Sequence, residues 1–380
     1  MYTFLFGPVH PCTWNTGYCR ITVKTWNSLC LSYPPGRICI FPHSPDHHPP
    51  KENIHEKTLA AFVATIVLAL GTHSTAPAWS TVQLKVAHAT WVGYGPFYLA
   101  KEKGFFAKQD LDVHLLIIED ESQYAAAMAS GNIDGLGNVL DREIIHFAKG
   151  SPETVLFAMD ESSGGDGIVA SADIQTLADL EGKSVGLDKS STSYFFFLTA
   201  LQKAGVPEDA VNILEMGASD AGAAFVAGRL DAAVTWEPWL ANAGQRTGGH
   251  VLVSSKDFPK TILDVFVLRK EVLDAHPEVG VGFTKAWNEA VAWLENNPQE
   301  GIAIMAKAMG VSTKEMSDMA AGVTFFNAQA NQEFFNRTTD NNIYDVATRA
   351  SDFWKKKKII TEPLQINQLI TSDFVTKAAE

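Results

Sequence analysis

Aromatic side chains and carboxylates gather where strand-like segments of this chain end. The rings are Trp91, Tyr94, Tyr194, Trp236 and Trp239; among them stand Asp141, Asp160, Glu161, Glu237 and Asp264. An aromatic face attracts a cation by about 0.5–2 kcal/mol, and carboxylates supply the opposite charge. Together they suit a cationic or amine-bearing ligand. A second feature is Lys189-Ser190-Ser191-Thr192-Ser193, which leads into a helix at Tyr194. Free backbone N–H groups, hydroxyls and the helix dipole make an anion cradle there. The same residues serve equally well as an N-cap. If both features face one cleft, the ligand has a positive or amine end and an acidic end.

Catalytic patterns do not stand beside this binding inventory. The chain has no G-x-S-x-G elbow and no Walker A loop. Gly93-Tyr-Gly95 and Gly135-Leu-Gly137 both lack the third glycine of a dinucleotide fingerprint. The acidic segment from Asp160 to Asp166 resembles a calcium loop only faintly, since Ser171 stands where the twelfth-position acid belongs. His88, His114 and His146 each sit alone in apolar surroundings and read as core or surface residues. All four cysteines (Cys12, Cys19, Cys30 and Cys39) lie early, at spacings that match no zinc or redox motif. No metal, cofactor or catalytic residue is expected, and the chain reads as a binding protein rather than an enzyme.

The elements that would position these groups alternate. Strand-like Leu84–Ala89, Val113–Ile118 and Gly135–Val139 are each followed by a helical segment, and the pattern restarts at Ser184–Leu187. Such alternation predicts parallel α/β sheets, whose ligands lie beyond the carboxyl ends of the strands. After Pro277 the pattern is almost wholly helical. Ala127-Met-Ala-Ser-Gly131-Asn-Ile-Asp134-Gly135 echoes Ala224-Phe-Val-Ala-Gly228-Arg-Leu-Asp231-Ala232. Each reads as a helix stopped by glycine, then an aspartate, then a buried strand, which suggests two similarly built lobes.

Composition agrees. The hydrophobic fraction is 46%, the charged fraction 19% and the net charge −13. From Thr81 onward 25 basic residues face 40 acidic ones. That surface repels phosphate backbones, so nucleic acid is not an expected partner, and it suits a monomer. Residues 1–56 are rich in loop chemistry and remain unassigned. Lys57, the twelve-residue apolar run Leu59–Leu70 and Ala76-Pro77-Ala78 have the anatomy of a secretory signal over residues 57–80, cleaved near Ala78. The run rises only about 18 Å as a helix, short of a membrane span.

The segment Trp91-Val-Gly-Tyr94-Gly-Pro96-Phe-Tyr-Leu-Ala100-Lys-Glu-Lys-Gly104-Phe-Phe106 resembles the opening of the nitrate/sulfonate/taurine substrate-binding proteins of ABC importers. Ser130–Gly135, Asp173–Lys183, Thr235-Trp-Glu-Pro-Trp239 and Asn296-Asn-Pro298 continue the resemblance in order. It implies a type II periplasmic-binding fold with two α/β lobes joined by a two-segment hinge. Lobe 1 would be residues 81–170 and 269–380, and lobe 2 residues 171–268. A small-molecule solute would bind between them, and a membrane permease with its ATPase would receive it. Family contacts carry over to Trp91 and Tyr94, Asn138 and Asp141, Ser191 and Thr192, Trp236 and Glu237, and Asp264. Asp160 and Glu161 make the site more acidic than an inorganic anion needs, which favours an amine, amidine or zwitterion such as taurine. The same fold houses thiamine-pyrimidine synthases with a cysteine-rich motif. This chain has no cysteine after Cys39, so a thiamine-pyrimidine-precursor binding protein is the nearer alternative.

Overall fold

The computed structural model describes residues 81–380. The four cysteines, the apolar run and the expected cleavage point near Ala78 lie outside the described residues. In chain order the strands are β1 (Val82–His88), β2 (Leu111–Ile117), β3 (Gly135–Val139), β4 (Glu153–Ser162), β5 (Asp166–Ser171), β6 (Ser184–Leu187), β7 (Asn212–Glu215), β8 (Ala232–Trp236), β9 (Gly249–Ser254), β10 (Leu263–Arg269) and β11 (Val323–Phe325). They form two sheets, ordered β11-β4-β10-β3-β1-β2 and β7-β6-β8-β5-β9.

The two orders share one plan. In the first sheet β1 lies between β2 and β3, parallel to both, and β10 runs antiparallel between β3 and β4. In the second, β6 lies between β7 and β8, and β5 runs antiparallel between β8 and β9. Each sheet therefore takes one strand that has just crossed from the other. This is the two-lobed α/β architecture expected from the sequence, but the sheets are mixed rather than parallel, because each crossing strand enters antiparallel to its neighbours. The chain changes sheet at 163–165 and again at 255–262, before the expected boundaries at 170 and 268. Hydrophobic patterning marks a buried strand but carries no record of which sheet it joins.

The echo noted in the sequence sits at equivalent places in the two sheets. Gly131 and Gly228 stop their helices at φ +70° and +72°, the left-handed region that glycine adopts without a Cβ clash. Three residues on, Asp134 accepts the Lys85 N–H of β1 at 2.9 Å, and Asp231 accepts the Ser184 N–H of β6 at 2.8 Å. The aspartate thus fastens β3 to β1 in one sheet and β8 to β6 in the other.

Beneath the first sheet lies an aromatic cluster. Phe266 stacks on Phe283 at 4.0 Å, and Phe97 meets Trp287 edge-on at 5.4 Å. All four rings are fully buried. Phe97 belongs to helix Gly95–Glu102, which carries Pro96 in its first turn. The apolar part of the Trp91–Phe106 segment is thus mainly an anchor that fixes the loop above it. Among the described residues no helix is long and apolar enough to cross a membrane.

Candidate functional site

Strand ends of both sheets converge on one small cavity. From the first sheet come Ala89, Trp91, Tyr94, Glu121, Val139 and Asp264; from the second, Asp166, Thr192 and Trp236. Trp91 and Trp236 are 6% and 7% exposed. Trp91 Nε1 donates to Asp160 Oδ1 at 3.1 Å. Trp236 Nε1 donates across to the Thr90 carbonyl at 3.3 Å and meets Trp239 edge-on at 5.8 Å. The Tyr94 hydroxyl donates to Asp264. Two glycines make room for the Trp91 ring. A Cβ on Gly93 would lie 2.0 Å from Asp160 Oδ2, and one on Gly165, in the crossing segment, 2.4 Å from Trp91 Cη2.

The lining is acidic and uncompensated. Asp160 and Asp264 stand opposite each other on neighbouring antiparallel strands, both buried. Burial pushes both carboxyls up; the Asp264 charge adds to the rise of Asp160, while the Tyr94 hydroxyl holds Asp264 back. Asp166 is pushed up to about 7, chiefly by burial. Burial also lifts Glu121, with the Asp188 charge adding to the rise and Arg142 opposing it. No lysine or arginine lines the cavity. The buried guanidinium of Arg142 lies outside the lining: Nε donates to Asp141 at 2.9 Å, Nη1 donates to the Ser190 carbonyl at 3.2 Å, the group lies over Trp354, and Nη2 has no partner.

The residues singled out from the sequence divide into those that line the cavity and those that hold its walls. Trp91, Tyr94, Thr192, Trp236 and Asp264 line it. Asp160 lies behind Trp91. Asp141 accepts the Thr192 hydroxyl at 3.1 Å and so ties the two sheets' helices together. Ser191 caps its helix through the Ser193 N–H at 3.2 Å, so the capping reading describes its side chain. Asn138 turns away to donate to Glu143. Glu161 accepts from the Lys260 backbone at 2.7 Å and pairs with its ammonium. Glu237 accepts the Ala241 N–H at 3.0 Å at a helix start. Tyr194 packs by Trp354 and bonds Glu208. Strand parity explains two of these departures, because successive side chains point to opposite faces. Asp160 faces Trp91 while Glu161 faces away, and Val139 lines the cavity while Asn138 does not. Two lining carboxylates, Glu121 and Asp166, escaped the sequence-based choice. Asp166 lay at the end of the acidic segment already noted.

His88 is a core residue between the Ala89 carbonyl (2.7 Å) and the Tyr98 hydroxyl (3.0 Å); His114 is exposed beside Asp112. His146 is not isolated, since it lies 3.2 Å from Glu143 Oε1.

Paired sheets that meet at a cavity lined by rings and carboxylates have the architecture of a two-lobed solute-binding protein. The NMT1/THI5-like family matches residues 91–301, over half of the chain, and the protein belongs to that family. The taurine-binding periplasmic protein of Escherichia coli is 25% identical over 305 residues, spanning 77% of this chain and 93% of its own. Among solved structures, the periplasmic aliphatic sulphonate-binding protein SsuA of Escherichia coli superposes with a TM-score of 0.63 at 20% identity, covering 78% of this chain and 100% of its own. The periplasmic nitrate-binding protein NrtA of Synechocystis gives 0.62 at 18% identity, over 79% of this chain and 89% of its own. These likenesses establish the type II periplasmic-binding fold.

Proposed function

We propose that the protein captures a small solute bearing a protonated amine or amidine between its two lobes and hands it to a membrane permease and its ATPase. One observation carries the choice of solute: Glu121, Asp166 and Asp264 line the cavity with Trp91, Tyr94 and Trp236, and no basic side chain joins them. In this reading the carboxylates hold the positive end and the rings flank it. Asp160 and Asp141 position the walls. A zwitterion's acidic end has only the start of helix Thr192–Ala204 to face. The relatives named for taurine, sulphonate and nitrate bind anionic groups, and this lining departs from what such groups require. An aminopyrimidine, with an amidine-like edge and a ring that stacks on tryptophan, falls within the same chemistry.

The lobes follow the two sheets, with the hinge at 163–165 and 255–262. The solute favours closure through its contacts to both sides, beside the Trp236–Thr90 hydrogen bond. The protein acts as a periplasmic monomer released by cleavage near Ala78.

A thermal-shift screen followed by calorimetry tests the solute class. Alkylamines, guanidines, amidines and aminopyrimidines are compared with taurine, alkylsulfonates and nitrate. A solute at about 100 times its Kd stabilises the fold by roughly 2.7 kcal/mol. The expected outcome is a rise with one or more cations. A rise with sulfonates or nitrate alone would sink the proposal.

A further inference from the structure

Three groups that do not line the cavity converge elsewhere in the first lobe. Helix Leu140–Ala148 carries Glu143 and His146 one turn apart, and the start of β4 brings Glu153 against them. One nitrogen or oxygen from each lies within 4.8 Å of the others. Glu143 and Glu153 are 0% and 1% exposed, and the His146 side chain is 14% exposed.

Each carboxylate has one oxygen held in place. Asn138 Nδ2 donates to Glu143 Oε1, and Ser151 Oγ donates to Glu153 Oε2 at 2.6 Å. The remaining atoms, Glu143 Oε2 and Glu153 Oε1, have no hydrogen-bond partner, and neither has His146 Nδ1. Buried polar atoms are nearly always paired, and here each of three clustered side chains keeps one that is not. A proton shared between the carboxyls joins two of these atoms, while His146 Nδ1, 3.2 Å from the Glu143 Oε1 already bonded by Asn138, makes no aligned hydrogen bond. A metal ion engages all three.

We infer that Glu143, His146 and Glu153 bind one divalent transition-metal ion, with zinc the fitting class. One imidazole nitrogen and two carboxylate oxygens are borderline donors of the kind zinc accepts, with a fourth position left for water. Calcium takes six to eight oxygens and has no use for the imidazole. Two carboxylates neutralise the ion's charge, so the buried site carries none. Asn138 and Ser151 are the outer partners that orient such ligands. Ligand bonds of about 2.0–2.2 Å require the three atoms to draw together by roughly 1 Å, within the reach of side-chain rotation. His146, the one partly exposed member, marks the side from which the ion enters. The ion would clamp helix Leu140–Ala148 to β4 and so stiffen the lobe.

The test is zinc calorimetry on the chelator-stripped full chain beside E143Q, H146Q and E153Q. Cysteines and histidines in the first eighty residues, such as Cys12 and His47, also take zinc, so the readout is a difference. Wild type is expected to bind one equivalent more than each variant and to gain more in melting temperature on zinc addition. Cobalt substitution is expected to give visible ligand-field bands from this site that the variants lack. Equal stoichiometry and equal cobalt spectra in wild type and variants would overturn the inference. E143Q keeps the size of the buried side chain and an acceptor for Asn138. It carries the comparison if H146Q does not fold, with circular dichroism as the control. The outcome does not depend on which solute the cavity takes.

Discussion

Replacing Asp166 with asparagine separates what a cavity carboxylate costs the fold from what it gives the ligand. Asp166 is 4% exposed, and its carboxyl is pushed from 3.8 up to about 7 by burial and by the charges of Asp264 and Glu237, against a hydrogen bond from Ser162. A carboxyl raised in the folded state stabilises fully below its unfolded value, near 4, and that contribution is lost as pH rises through about 7. At about 1.4 kcal/mol per tenfold change in proton affinity, the ionised wild type pays on the order of 4 kcal/mol at pH 8. Asparagine keeps the shape and cannot ionise. D166N is therefore expected to match wild type near pH 4 and to exceed it by on the order of 4 kcal/mol at pH 8, or roughly 8 °C in Tm for a body of this size. For a cationic solute the sign reverses. Loss of a buried countercharge weakens binding by about 2–5 kcal/mol, at least roughly 30-fold in Kd. Thermal unfolding without solute at several pH values, with calorimetry at pH 8, reads both effects. A stability gap that does not widen with pH, or an unchanged affinity, would refute the reasoning.

Two further outcomes follow from the same lining. Affinity for a cationic solute should climb with pH by up to about tenfold per unit below pH ~7 for each proton released on binding, measured by calorimetry across that range; a profile that falls with pH contradicts a cationic ligand. Gly93→Ala brings a Cβ within 2.0 Å of Asp160 Oδ2 and 2.4 Å of Trp91 Nε1. It is expected to cost about 1–3 kcal/mol in urea unfolding and to impair solute binding. Gly217→Ala, with no atom within 4 Å of its Cβ, serves as the control, and equal midpoints for the two would show that the loop yields freely.

The alternation of strands and helices was legible because buried strands and amphipathic helices leave different periods in the sequence. The echo at Gly131 and Gly228 was legible because a left-handed helix stop restricts residue type. Sheet membership was not, since β5 and β10 read as buried strands wherever they pair. Within the site, Trp91, Tyr94, Trp236 and Asp264 stood out by residue type. Glu121 did not: it follows Glu119 and Asp120, and a run of acids looks solvated until the tertiary structure buries its last member. Asn138 differs from the lining Val139, and Glu161 from the Asp160 that backs Trp91, by a single residue of strand parity, which spacing alone cannot phase. The Glu143–His146 pair at helical spacing was a signal that went unread, because its third member, Glu153, comes from another element.

The central position of β10 sets an order of assembly. As the chain is synthesised, the first sheet acquires β1 to β4 early, yet β3 and β4 do not touch; the place between them belongs to a strand that begins only at Leu263. The second sheet has no such delay. Its own inserted antiparallel strand, β5, is made first, and β9 completes the set at Ser254. The lobe that starts second can therefore finish first, while the lobe that holds most of the cavity-lining rings stays open until its partner is built. Any agent that holds the first lobe apart during synthesis has until β10 emerges, and no longer, in which to act.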